Sequence, residues 1–290
     1  MQLPKNFRAA EVLAFHARDP QQRAERVTGH CIDKGLMWHG HPAQLHIGIH
    51  PDHAEVTLTV DGPPADPAQV TWLAGHMLGL TQPVEAFEAA HGHHPQLGAL
   101  IARHPGLRVP QTASPFEALS WAITGQQISV AAAVSVRRRL IETAGLRHSG
   151  GLACYPDAAT LARLDEATLQ SAGLSATKAR SLLSVARLAT DGHLPLDDWL
   201  HTPVADTIRA RLASIRGIGP WTINYTLLRG FASVDGSLHG DVAVRRGLQK
   251  LLGRSEKIDA DEAEAWLARF APWRALVAAR LAMESLLGAR

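Results

Sequence analysis

In the first third of the chain, apolar residues alternate with polar ones, at Leu45, Ile47 and Ile49 and again at Val56, Leu58 and Val60. A period of two sends successive side chains to opposite faces, so both runs predict half-buried strands. Asp61-Gly62-Pro63-Pro64 closes the second run with turn-forming residues. Over residues 67–80 the spacing changes, and Val70, Leu73, Met77 and Leu80 fall on one helical face. The breaker-rich segment His104-Pro105-Gly106-Leu107-Arg108-Val109-Pro110 then marks a boundary. Beyond it the spacing is helical almost throughout. Ser114-Pro115-Phe116-Glu117 reads as a capping box, with Ser114 as cap, Pro115 at the first helical position and Glu117 reaching back. Further helices are predicted over 130–144, 157–161, 166–172, 176–190, 205–215, 221–230, 242–252, 261–270 and 273–287. The pattern predicts an α+β protein with a small antiparallel-sheet unit over 1–110 and a mainly α-helical region over 111–290.

Composition narrows the function classes. With 290 residues, 46% hydrophobic and 19% charged, the chain reads as an ordinary globular protein. A net charge of +2 gives no support to a general polyanion-coating role. Between positions 205 and 254, however, eight Lys/Arg face three acids, a local excess suited to a nucleic-acid-binding face. Cys31 and Cys154 lie far apart, against a disulfide framework or a four-cysteine zinc or iron–sulfur site. Residues 1–10 have no apolar signal core, and no run reaches the eighteen apolar residues of a membrane span. A cytoplasmic location and a monomeric state are expected. Among sixteen histidines, His39-Gly40-His41 and His91-Gly92-His93-His94 lack the paired spacing of a structural zinc site, so no metal is expected.

The chemistry concentrates in Arg216-Gly217-Ile218-Gly219-Pro220-Trp221-Thr222 and in Leu238-His239-Gly240-Asp241. Two glycines permit a tight turn, and Pro220 opens a helix at the position where its missing N–H is harmless. The helix start offers free amides and a positive dipole end, which suit a phosphate. As an alternative, the same residues could form a plain helix–helix connection, and Asp241 could simply cap the helix beginning at Val242. Trp221 and Tyr225 share one helix face at i, i+4, either as core or as a pocket wall.

The run Ile215-Arg216-Gly217-Ile218-Gly219-Pro220-Trp221-Thr222-Ile223-Asn224-Tyr225 followed by Gly240-Asp241 resembles the helix–hairpin–helix DNA glycosylase superfamily. Within it, the chain looks most like the 3-methyladenine glycosylase II, or AlkA-type, branch. The segments 105–110, 122–131 and Pro272-Trp273-Arg274 fall in the same order as in that branch. The resemblance implies a TATA-binding-protein-like N-terminal sheet and a helix–hairpin–helix at about 205–230. It also implies a monofunctional enzyme that flips and excises alkylated bases of the 3-methyladenine and 7-methylguanine class from damaged double-stranded DNA, at the nucleoid. Asp241 would be the catalytic acid, with Trp221, Tyr225 and Gln126 lining the base pocket. Arg216, Gly217, Gly219, Thr222, Gln127 and Arg245 would contact DNA, Gln127 as the wedge that fills the vacated stack. Lyase-competent relatives carry a lysine where this chain has Trp221. No cofactor is implied beyond a monovalent cation on the hairpin carbonyls of Ala213, Ile215 and Ile218. Val242 and Ala282 stand where relatives have pocket aromatics, which leaves a different damaged base, or lesion binding without catalysis, as alternatives.

Overall fold

The computed structural model describes residues 1–201 and 205–287. Strands β1 (Glu25–Thr28), β2 (Cys31–Trp38), β3 (His41–Ile49) and β4 (Ala54–Val60) form an antiparallel meander in chain order. The two strands expected from alternation are β3 and β4, paired with Leu45 opposite Leu58 and Ile47 opposite Val56. Strands β1 and β2 extend the sheet on the other side of β3. Helices α1 (Ala9–His16) and α2 (Pro67–Met77) cover its inner face, where Val12, Leu45, Ile47, Leu73 and Met77 share one core.

Helices α3 (Val84–His91) and α4 (Leu97–Arg103) follow, then α5 (Pro115–Gly125) and α6 (Val130–Ala144). Next come α7 (Ala158–Ala162), α8 (Glu166–Ser171), α9 (Ala176–Thr190), α10 (Leu196–His201), α11 (Ala205–Ala213) and α12 (Pro220–Phe231). The chain ends with α13 (Val242–Leu251), α14 (Ala260–Ala268) and α15 (Arg274–Leu287). A second core joins α5, α6 and α9 to α11 and α12 through Leu119, Leu140, Leu182, Leu212 and Leu227. A third joins α13 to α15 with α3 and α4, so Phe87, Leu97 and Leu100 pack with Leu248, Leu267 and Leu276. Helices α3 and α4, which lie before the boundary read at 104–110, thus give their apolar faces to the C-terminal helices.

Helix α5 is the central strut, with every side chain from Pro115 to Thr124 buried. Its cap differs in one bond from the expected box. Ser114 Oγ accepts from Glu117 N at 3.1 Å, but the Glu117 carboxylate accepts from Ala113 N rather than from the cap residue. Its other oxygen is drawn toward the sheet, where it meets Lys34 Nζ at 2.7 Å and Arg137 Nη2 at 2.8 Å. Glu25 of β1 completes the cluster, accepting from Lys34 Nζ at 2.7 Å and pairing with Arg137 at 3.2 Å. Gly35 allows the segment after α6 to lie against β2, since a Cβ there would stand 2.0 Å from the Ala153 carbonyl.

A second polar contact between the two parts involves His76 of α2. It is almost fully buried and stacked on Trp72 with ring centroids 5.1 Å apart, near the Gly230 backbone, and its Nε2 has no hydrogen-bond partner among the described residues. Burial disfavours its charged form and pushes its pKa down from 6.5 to about 4. The folded protein therefore keeps His76 neutral while the unfolded chain takes up a proton below about pH 6.5. Stability is complete above that pH and falls as acid is added toward pH 4. Chemical denaturation should show a loss of about 2 kcal/mol from this residue between pH 7 and pH 5. A His76→Gln variant should flatten that part of the profile, and an unchanged slope would refute the assignment.

Candidate active site

The turn between α11 and α12 is shaped by Gly217 at φ +89°, in the left-handed region. A Cβ at that position would stand 2.2 Å from Ser181 Oγ, which itself donates to the Arg216 carbonyl at 3.2 Å. Gly219 differs, with φ −96° and open space around its missing side chain. It is the N-cap of α12, Pro220 follows as expected, and no side chain caps the helix. The first-turn amides therefore remain available to an external acceptor beside the exposed Arg216.

Asp241 sits one helix away, as the N-cap of α13. Its Oδ1 accepts from Ala243 N at 2.8 Å, and its Oδ2 lies 3.4 Å from the Trp221 indole Nε1, the donor. Capping occupies one oxygen of this carboxylate and turns the other toward α12. The loop that delivers Asp241 is tied down at several points. Asn224 Nδ2 donates to the Ser237 carbonyl at 2.6 Å, and Arg274 grips Asp235 with two bonds of 2.7 and 2.9 Å. His239 turns away from the acid, bonding Ser237 Oγ at 2.9 Å with Glu264 3.7 Å beyond.

Trp221 and Tyr225 stack in a tilted pair with centroids 5.3 Å apart, and Tyr225 packs on Trp121, Ala133 and Val134. Behind them Phe15 lies under two guanidinium groups, Arg18 at 3.9 Å and Arg229 at 4.6 Å. Arg18 also covers Trp121 at 4.7 Å. Burial pushes the Arg229 guanidinium down to about 10, opposed by the nearby Tyr225 and Asp241. The wall is therefore aromatic and cationic, with the Asp241 carboxylate at its edge. Val242 beside it is half exposed, and Ala282 is half-buried against the C-terminal core.

The profile of the HhH-GPD superfamily base excision DNA repair proteins matches residues 120–272. The chain belongs to this superfamily. Over 182 residues it is 34% identical to DNA-3-methyladenine glycosylase 2 of Escherichia coli (strain K12), covering 61% of this chain and 60% of that protein. It is 31% identical over 160 residues to DNA-3-methyladenine glycosylase of Bacillus subtilis (strain 168), covering 54% and 52% of the two chains. The chain thus spans about 60% or less of the length of these curated relatives. In fold it is similar to the 3-methyladenine DNA-glycosylase from Archaeoglobus fulgidus, with a TM-score of 0.82 at 19% identity over 100% of this chain and 98% of that one.

Within this HhH-GPD chain the residues singled out from sequence separate into groups. Asp241, Trp221 and Tyr225 converge on one wall. Gln127 is exposed at φ +57°, at the head of a loop that also presents Ile128 and Val130 to solvent. Gln126, expected in the pocket wall, is held at the hairpin. Its Nε2 donates to the Gly217 carbonyl at 3.0 Å and to Thr222 Oγ1 at 2.9 Å, latching the Gln127 loop to the hairpin. Thr222 is only 2% exposed, and its hydroxyl accepts from Gln126. Arg245 lies on α13 half-buried, its Nε enclosed without a partner. Phe15, Arg18 and Trp121 do not stand out in the sequence, and Arg229 does so only as part of the basic excess over 205–254. Their signal is faint, since they come from α1, the segment just after it, α5 and α12 and belong to no local motif.

The two hairpin glycines should respond differently to alanine. Gly217→Ala should lower stability by about 1–2 kcal/mol, from the left-handed backbone and the clash with Ser181. Gly219→Ala should leave thermal stability nearly unchanged and weaken DNA binding, because the new methyl stands at the amide-presenting turn. Melting curves and fluorescence anisotropy on the same two proteins separate these effects.

Proposed function

We propose that this protein is a monofunctional DNA glycosylase that excises alkylated bases, in the 3-methyladenine and 7-methylguanine class, from double-stranded DNA. The observation that carries this reading is the Asp241 carboxylate, fixed by its own helix cap with Oδ2 directed at an aromatic wall beside an uncapped hairpin helix. Breaking an N-glycosidic bond builds positive charge on the sugar, and a carboxylate already in place stabilises that charge without reorganising. The same group can orient or deprotonate the attacking water. An alkylated purine already carries positive charge and leaves readily, so one acid suffices. Trp221 occupies the place of a Schiff-base lysine, so the product is an abasic site on an unbroken strand.

DNA grip comes from the hairpin amides with Arg216, and from Arg245 on α13. Gln127, raised on the latched loop, fills the gap left by the flipped nucleotide. The hairpin carbonyls of Ala213, Ile215 and Ile218 are the donor set for a monovalent cation. Ile215 O keeps a lone pair after accepting from Ile218 N at 3.1 Å. Among the described residues no helix is long and apolar enough to cross a membrane. A monomer acting at the nucleoid in the cytoplasm completes the proposal.

Two small residues favour a second reading for the lesion itself. Val242 and Ala282 leave the pocket without aromatics at two places, which suits a wider or less cationic damaged base. Mass spectrometry of bases released from methylated duplex DNA tests both readings. Wild type should release 3-methyladenine or 7-methylguanine, and Asp241→Asn should lose at least about 100-fold in rate while still binding DNA. Release of other bases only would move the substrate class. Binding without any release would make the protein a lesion binder.

A further inference from the structure

Away from the cleft, the turn joining β3 and β4 gathers groups that the proposed chemistry does not use. His50, His53 and Glu55 place one ligand atom each so that all lie within 4.8 Å of one another. The two imidazoles stack with centroids 4.4 Å apart and planes 11° from parallel. His50 Nε2 lies 3.8 Å from one Glu55 oxygen, and His53 Nε2 lies 3.9 Å from the other. Those separations are too long for hydrogen bonds. They are close to the spacing of two donors that share an ion, about 3.4 Å for zinc bonds of about 2.0–2.2 Å at a tetrahedral angle. Asp52 Oδ1 holds His53 Nδ1 at 2.8 Å, which fixes the proton there and leaves the Nε2 lone pair facing Glu55. Gly48, the cross-strand partner of Glu55, adds no side chain over the hollow, and a Cβ there would stand 3.8 Å from His50 Nε2.

We propose that His50, His53 and Glu55 form a surface site for one divalent transition metal of the zinc class, with Asp52 orienting His53. Two imidazoles and one carboxylate suit zinc and exclude magnesium and calcium, which take oxygen ligands. A fourth position is left open to solvent. The ion would staple the β3–β4 turn, whose backbone is closed by a bond from His50 N to His53 O at 2.8 Å.

Isothermal titration of untagged full-length protein with zinc chloride, together with melting curves, tests this. One equivalent should bind wild type and raise its melting temperature. His53→Gln and Glu55→Gln should each weaken binding at least tenfold, and Asp52→Asn about 10–100-fold, as expected for a group that orients a ligand. A His91→Gln/His94→Gln control, on the other histidine-rich surface, should bind as wild type does. The side chains of His50, Asp52, His53 and Glu55 are exposed or half-exposed and can be replaced without disturbing the core. No binding by wild type, or equal binding by a His50→Gln/His53→Gln variant, would overturn the site.

Discussion

Two carboxylates and two cations buried together hold the sheet to the helices, and the placement of the candidate-site wall follows from them. Glu25 and Lys34 come from neighbouring strands, Glu117 from the first turn of α5 and Arg137 from the middle of α6. Each carboxylate meets both cations, and their charges hold Glu25 and Glu117 below the usual carboxylate range despite burial. His16 adds a 2.8 Å bond to Glu25 while burial lowers its own pKa. Such a cluster confers little net stability compared with apolar packing, but stranding one member costs about 3–5 kcal/mol. The four positions therefore constrain one another. Once they are set, the strut α5 can take only one place against the sheet, and its far end carries Trp121 and the Gln126 latch to the hairpin.

The same cluster explains which elements could be read from sequence. Helices at 130–144 and 176–190 are found at their predicted bounds, because serine caps and regular apolar stripes define both. Strands β3 and β4 alternate cleanly because their inner face meets only apolar side chains. In β1 and β2 the buried positions include Glu25 and Lys34, which by type belong outside. Their alternation is real in three dimensions and invisible in hydrophobicity. The segment 84–103 shows a related limit, since a breaker-rich stretch after it marks a boundary in the chain without naming the core that receives its helices.

Within the candidate site, legibility follows distance along the chain. The turn glycines, Pro220, Trp221, Tyr225 and Asp241 lie within a short stretch whose spacing carries its own geometry. Gln126 and Thr222 also stood out, and their mutual bond latches the end of α5 to the start of α12. A side chain's partner across 96 residues cannot be inferred from spacing. Phe15, Arg18 and Arg229 are further examples, brought together only after the sheet unit docks.

In the proposed function Asp241 is both a helix cap and a catalyst, and the first role prepares the second. Capping requires a short side chain whose oxygen reaches back to an amide two residues on, and that demand fixes its torsions. A carboxylate has a second oxygen, and with the first anchored the second can point only along one line, toward Trp221. Asparagine could satisfy the cap but would bring no charge, whereas glutamate would bring charge but move it off the line. Under the proposed function the site needs aspartate for two independent reasons. The bland reading of this residue and the functional one support each other, since the helix start supplies the rigidity that electrostatic stabilisation of a transition state requires.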